Sequence, residues 1–408
     1  MGHINSRGWL GFAGLILVAS FNQACGSAHS DSDESVSEVA PPETLVDKYG
    51  RDWVRSATPV VYAPEEQPNG DVTTELPPQV PLEEMPLDEL AERIRPRTVI
   101  NGYEYELASP DYETAAKILS GDGVGAFSTS NYGAMGAPDS DVPEEERDGQ
   151  NIFDNDTRSI KRNNSSFPWR TIISLTPGTC TATLIGPSTA VTAAHCVHNG
   201  SSWLSTRGWA PGVDNQDSNP FTYNPWTADP TYPHYDGLRI QGCYVVTVPG
   251  GWNSDKDVAD DYAVFEFSDM FPAIPNCNLF PGSTVGWFGF WAASASTVEG
   301  HDYLYAYGYP GESEGCPGGP CFTPTIWGSG NSNFSVESSH IEHHTDTTAG
   351  MSGSGLYVIT GSNSDRRIVG IHKGGHDCWW CSDYNHGRRV TSGILNFVEA
   401  NSAYRREF

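Results

Sequence analysis

Basic residues are scarce in this 408-residue chain, where 23 Lys plus Arg stand against 51 Asp plus Glu for a formal net charge of −28 at pH 7. A surface this acidic repels phosphate backbones and anionic lipid, which excludes nucleic acid as a partner and disfavours membrane surfaces. Long hydrophobic runs are missing too. The apolar stretch from Trp9 to Phe21 is too short to cross a bilayer, so no membrane span is expected. No repeat with a period of about 20 to 50 residues occurs, which removes solenoids and propellers. Cysteine is absent between Cys25 and Cys180, although the chain holds nine in all.

What is present at the start fits export: Arg7, then the apolar run, then the small residues Ala24, Cys25, Gly26 and Ser27. Residues 1–25 are therefore expected to be a signal peptide, and the destination the cell surface or the medium. Cys25 after Ala24 resembles the acylated cysteine of bacterial lipoproteins, a possible lipid anchor, whereas Asn22 stands where that motif carries Leu. A simple secretory cut after Ala24 or Ala28 stays open. Eight cysteines follow from Cys180 onward, an even number that in an oxidising compartment reads as disulfides.

Residues 26–150 hold 27 acids against 8 bases, many prolines and no cysteine, a composition that reads as an acidic, partly disordered pro-region or an acidic spacer. Within it "PLDELAERIR" (Pro86 to Arg95) predicts a short helix, and "RTVINGYEYELA" a hairpin. Residues 151–408 change texture to short runs rich in Val, Ile, Thr and aromatics, such as "RTIISL", "CYVVTV", "YAVFEF" and "RRIVGIH", punctuated by Gly, Pro and Asn. That spacing predicts an all-β barrel or sandwich. Only the tail, through Ile394, Leu395, Phe397 and Val398, has helical spacing.

Three residues in this part form a chemical series. His195 ends a small-residue strand in "TAVTAAHC", and a bond from Cys180 to its neighbour Cys196 would staple its loop, contributing about 3 kcal/mol. Asp261 precedes the strand "YAVFEF". Ser352 sits between glycines in "TTAGMSGSG", a turn that can expose a hydroxyl and aim backbone N–H groups at an oxyanion. The order His, Asp, Ser is that of the chymotrypsin arrangement rather than of subtilisin or the α/β-hydrolases.

"TAAHC", "DYAV" and "GMSGS" resemble the triad blocks of trypsin-like serine proteases, and "RSIKRNNSSFPWRTIISL", "YAYGYP", "TTAGMSGSG" and "VGIHKGG" are similar to the bacterial glutamyl endopeptidase, or V8-like, branch. The resemblance covers roughly Asn151 to Val398. It implies two six-stranded β-barrels, a zymogen cut near Gln150 or Asn151, and no organic cofactor. Ser352 would be the nucleophile, His195 the base and Asp261 its orienter, with an oxyanion hole from the N–H groups of Gly350 and Ser352. Met351 replaces the Asp that in most trypsin-like enzymes pairs with the new N-terminus. Thr347 and His372 would bind a Glu side chain before the scissile bond. Asp346 falls where trypsin-like enzymes of basic specificity keep their pocket Asp, so Lys or Arg preference is the alternative.

Two other classes remain at this point: a protease-like surface binding protein without turnover, and an esterase using the same serine. Zinc is conceivable at Cys378, Cys381, His376 and His386, and metal at "HIEHH" (His340 to His344), but disulfides and strand alternation are the expected readings, so no metal site is assigned. "CPGGPC" suggests a Cys316 to Cys321 loop, "CWWC" a Cys378 to Cys381 loop, and Cys243 and Cys277 are left over. A structural calcium ion has no motif to support it. The expectation is a monomer acting on proteins or peptides.

Overall fold

β-Branched and aromatic side chains fit a pleated surface better than a helix, and they build almost every element of this computed structural model. It describes residues 41–62, 82–100, 102–121, 126–127, 157–161, 167–175, 180–204, 209–212, 244–252, 258–268, 270–272, 280–311, 326–361, 365–376 and 384–403. The candidate signal segment, Cys25, the bond at Gln150 or Asn151, and cysteines 243, 277, 316, 321, 378 and 381 lie outside the described residues. Pro41–Phe408 forms one structural unit.

Along the chain the strands are β1 (Thr44–Val46), β2 (Asp52–Pro59), β3 (Pro96–Ile100), β4 (Tyr103–Leu107), β5 (Ala126–Phe127), β6 (Ser159–Lys161), β7 (Ile172–Leu175), β8 (Cys180–Leu184), β9 (Thr189–Thr192) and β10 (Trp209–Pro211). They continue with β11 (Val245–Pro249), β12 (Ala263–Glu266), β13 (Gly289–Trp291), β14 (Leu304–Gly308), β15 (Ile326–Asn331), β16 (Phe334–Val336), β17 (His340–His343), β18 (Gly355–Thr360), β19 (Asp365–His376) and β20 (Tyr384–Arg389).

They form two sheets of ten strands each. The first runs β1-β2-β4-β3-β11-β12-β9-β8-β7-β10, and the second β16-β17-β20-β19-β18-β14-β15-β6, with β13 on β19 and β5 on β13. Among the described residues every pairing is antiparallel except β13 with β19. This is the all-β architecture that the sequence predicts. Six strands of the first sheet, β7 to β12, come from the protease part, as expected for one barrel. The other four come from the acidic front segment.

That front segment is ordered from Pro41 through Gly121 wherever it is described. The expected helix runs Leu87–Arg93 (α1), and the expected hairpin is β3 with β4, turned at Gly102 with φ of +76°. Helix α2 (Tyr112–Ser120) starts at Asp111, whose carboxylate accepts from Thr114 N, and stops at Gly121 in the left-handed conformation. Buried Asp47 accepts from the backbone of Tyr49 and Arg51, from the Arg51 guanidinium at 2.7 Å and from the Trp53 indole at 3.1 Å.

The predicted tail helix runs Ser392–Ala400, with Ile394, Leu395, Phe397 and Val398 all fully buried. Beyond it the chain is tied down by Glu266, a buried carboxylate that accepts from Thr189, Ser268 and the Ala403 N–H. A buried charge needs such partners to be tolerable.

Trp53 anchors a cluster shared by the front segment and the protease part, stacking edge-on against Phe271 at 5.4 Å. Replacing Trp53 by Ala is expected to lower unfolding free energy by about 3–5 kcal/mol. Urea titration of the full chain should show it as a reduced midpoint with unchanged slope.

Candidate active site

Small residues clear the space in which His195 sits: Ala193 and Ala194 are fully buried, and the short 3-10 turn Ala194–Cys196 carries the imidazole off the end of β9. The disulfide Cys180–Cys196 clamps that turn to the start of β8. β12 lies antiparallel to β9 with Ala263 opposite Thr192, and this register brings Asp261 alongside the histidine turn. Asp261 Oδ2 is 2.8 Å from His195 Nδ1, and Oδ1 accepts the His195 backbone N–H at 2.9 Å. Two oxygens of one carboxylate therefore fix both the ring and its backbone. Asp261 is fully buried, which raises the cost of its charge; His195, by attraction and hydrogen bonding, and then Lys373 outweigh that, leaving the carboxyl below its ordinary range.

Ser352 lies in a turn between β17 and β18 that both sheets hold. Thr181 N donates to Ser352 O at 2.8 Å, Thr181 Oγ1 to Gly350 O at 3.1 Å, and Gly353 N to His372 O at 2.7 Å. The Ser352 carbonyl oxygen is 3.6 Å from Cys196 Sγ, which puts the serine beside the residue that follows His195. Gly350 and Gly353 have φ of +92° and +84°, a region that costs L side chains strain. At Gly353 a Cβ would also meet Thr181 O at 2.3 Å. Among the described residues the N–H groups of Gly350 and Ser352 have no protein acceptor, so both stay available. The Ser352 hydroxyl donates to Lys373 O at 2.7 Å rather than to His195; catalytic hydrogen bonds often close only on a bound substrate.

Around this centre Asp346 is buried, and its Oδ2 accepts from Thr157 N at 2.8 Å and Thr157 Oγ1 at 2.5 Å. Next along, Arg158 donates to Thr348 Oγ1 at 2.9 Å and lies over Trp327. Thr347 is fully buried, and its hydroxyl has no partner among the described residues. His372 is buried with Nδ1 3.3 Å from His343 Nε2. Burial first, and then the nearby His195, push the His372 imidazole down to about 3. Burial and the neighbouring histidines push His343 well below its ordinary value. Met351 is fully buried and apolar.

Reading the sequence missed three of these contacts. Asp260, next to Asp261, pairs with Arg93 of the front segment at 2.8 Å; the doubled acid in "ADDY" was the available signal. His343 sits behind His372 because β17 alternates, and the buried positions of "HIEH" mark it. Thr157 holds Asp346 across a separation of 189 residues, and no local pattern shows that.

One donor cluster with metal-like spacing exists among the described residues, formed by Cys180, His195 and Cys196. Its two sulfurs are bonded to each other, so they offer no thiolate to an ion.

Comparison with known proteins shows the family. A sequence model of the family described as Trypsin matches residues 157–392. An "Extracellular metalloprotease" of Bacillus subtilis is 29% identical over 289 residues, covering 68% of this chain and 77% of the relative. A "Glutamyl endopeptidase" of Bacillus licheniformis is 26% identical over 252 residues, covering 60% and 67%. A solved structure of a Glu endopeptidase in complex with MPD shares 22% identity and a TM-score of 0.42, over 61% of this chain and 97% of that one. With the family model spanning more than half its length, this chain belongs to the trypsin family of serine peptidases.

Proposed function

We propose that the chain is an exported serine endopeptidase, made as a zymogen, that cleaves after Glu or Asp by a triad of Ser352, His195 and Asp261. The observation that carries the reading is the doubly bonded Asp261–His195 pair beside a serine held on a glycine turn. In this mechanism His195 Nε2 takes the Ser352 proton as Oγ adds to the scissile carbonyl. The oxyanion moves toward the N–H groups of Gly350 and Ser352, a contribution whose loss typically costs about 100- to 1000-fold in turnover. Protonated His195 then gives its proton to the leaving amine, and water repeats the sequence on the acyl-enzyme. Asp261, already ionised, stabilises the imidazolium without itself taking a proton.

Specificity follows from three side chains. The Thr347 hydroxyl is buried without a partner among the described residues, an expense that a substrate carboxylate offsets. His372 is neutral at ordinary pH, with Nδ1 3.3 Å from His343 Nε2; in the tautomer protonated at Nε2 the ring offers a donor to that carboxylate. It acts as a neutral donor rather than a cation. Asp346 has its Oδ2 engaged by Thr157, which argues against a pocket for Lys or Arg. The similarity to a glutamyl endopeptidase points the same way. Buried Met351 offers no carboxylate to a new N-terminal ammonium, so activation works through the Thr157–Arg158 segment seated beside the pocket. Export and a protein or peptide substrate accord with the extracellular relative.

Ser352→Ala is expected to abolish labelling by a serine-directed phosphonate and lower kcat by about 10⁶-fold, and Asp261→Asn by about 10⁴-fold. Labelling that persists in Ser352→Ala removes the nucleophile assignment. Matched peptides should give the highest kcat/KM with Glu before the scissile bond. His372→Ala should erase that preference, and Thr347→Val should cut it by about 10-fold or more. An Arg preference lost in Asp346→Asn replaces the pocket assignment.

The two buried histidines also set a pH dependence of folding. In the unfolded chain each binds a proton as pH falls below about 6.5, whereas folded His372 resists until about 3 and folded His343 stays neutral well below its ordinary value. Stability is thus full above 6.5 and lost as pH falls toward 4, by up to about 1.4 kcal/mol per pH unit for each ring. Urea titrations of Ser352→Ala between pH 7 and about 4.5 should show this slope, and His343→Gln should roughly halve it.

A further inference from the structure

The front segment touches the protease part where the proposed triad is held. Strand β3 extends the first sheet by pairing with β11, Thr98 opposite Thr247, and buried Thr98 Oγ1 donates to Val246 O at 2.6 Å. Trp53, Tyr105 and Leu107 share one apolar cluster with Val245, Met270 and Phe271. Leu90 and Ile118 enter the main core with Leu395 and Phe397 of the tail helix. These are contacts of a folded interior rather than of a removable cover.

Two of the contacts flank the His195–Asp261 pair. At the turn before Asp261, the Arg93 guanidinium meets the fully buried Asp260 carboxylate at 2.8 Å. Arg93 O also accepts the Gly251 N–H at 2.8 Å. The fit around this pair is tight: a Cβ at Gly251 would lie 2.1 Å from Asp260 Oδ2 and 2.8 Å from Arg93 Cγ. In the loop after His195, the buried Trp203 indole donates to Glu104 Oε2 at 2.7 Å. Tyr62 and Val99 of the front segment line a cavity together with Val197, Trp203 and Leu204 of that loop.

We propose that the front segment, Pro41 to Gly121, is a resident part of the working peptidase, and that Arg93 is a positioning residue that acts through Asp260 on Asp261. The proposal rests on the reading of Asp261 as the triad carboxylate. A maturation cut between residues 128 and 156 breaks none of the contacts named here, so the segment stays bound as a second, non-covalent chain. The protease part therefore depends on a partner of one chemistry, its own front segment, which supplies an edge strand for β11 and a cation for Asp260.

The full chain, cut once in that region by its own maturation or by a trace of added protease, is run on native size exclusion with mass spectrometry of each peak. The expected result is co-elution of the front fragment with the protease fragment in equal amounts, and phosphonate uptake by the complex. A front fragment that elutes alone, leaving a protease part that labels at the full rate, overturns residency. For positioning, Arg93→Gln is expected to lower kcat by roughly 10- to 100-fold with KM held within about twofold. Arg93→Lys should recover most of it. Unchanged kcat, or a change confined to KM, overturns the role of Arg93. Should Arg93→Gln fail to fold, Arg93→Lys and the wild-type co-elution still decide. Co-elution is read by mass alone, so a wild type that co-elutes yet never labels refutes the peptidase reading and leaves residency standing.

Discussion

Two adjacent carboxylates, Asp260 and Asp261, are both withdrawn from water, and the rest of the site depends on how each charge is compensated. An isolated buried carboxylate is costly enough that it would take up a proton instead. Asp261 avoids this with the His195 ring, the His195 backbone N–H and the field of Lys373. Asp260 takes Arg93 from the opposite side. Successive residues thus face two different partners, one toward the chemistry and one toward the front segment. The turn between them can therefore shift neither way without stranding a charge.

The same logic orders the serine turn. Gly350 and Gly353 take backbone conformations that other residues reach only with strain, and the turn is fixed by bonds to β8 of the first sheet and β19 of the second. Those bonds leave the N–H groups of Gly350 and Ser352 without an acceptor among the described residues. A site preorganised in this way presents its donors without reorganising during reaction, which is where most electrostatic stabilisation of an oxyanion originates. The disulfide Cys180–Cys196 extends the arrangement, since β8 holds the serine turn through Thr181 while its first residue holds the histidine turn.

Much of this was legible beforehand because it is written in local pattern. Alternation and β-branching marked the strands, the apolar spacing of Ile394 to Val398 marked the tail helix, and "RTVINGYEYELA" marked the β3–β4 hairpin. Order and glycine placement singled out His195, Asp261 and Ser352. What escaped was long-range. Composition marks the front segment as an acidic, partly disordered pro-region with a local helix and hairpin, but it does not show that Trp53, Tyr105, Leu90 and Ile118, few and well spaced, are fully buried. Neither Arg93 with Asp260 nor Thr157 with Asp346 is separated by a helical or strand period, so only the fold brings them together.

An acidic exterior and the proposed pocket for acidic side chains impose opposite demands, and distance resolves them. Surface carboxylates such as Glu89 and Glu113 act through water, where the screening length is about 8 Å at physiological ionic strength. Three basic residues of the front segment are spent at short range, Arg51 on Asp47, Arg93 on Asp260 and Arg97 on Glu104. None of them offers a field for drawing in acidic peptides. Recognition of a carboxylate must then come from donors that act at contact inside a dry pocket, where a hydrogen bond is stronger than in water. Thr347 and His372 meet that condition because both are buried and His372 is uncharged. A cationic pocket would have to be stabilised against its own burial, whereas a neutral one becomes favourable only when the substrate's charge arrives.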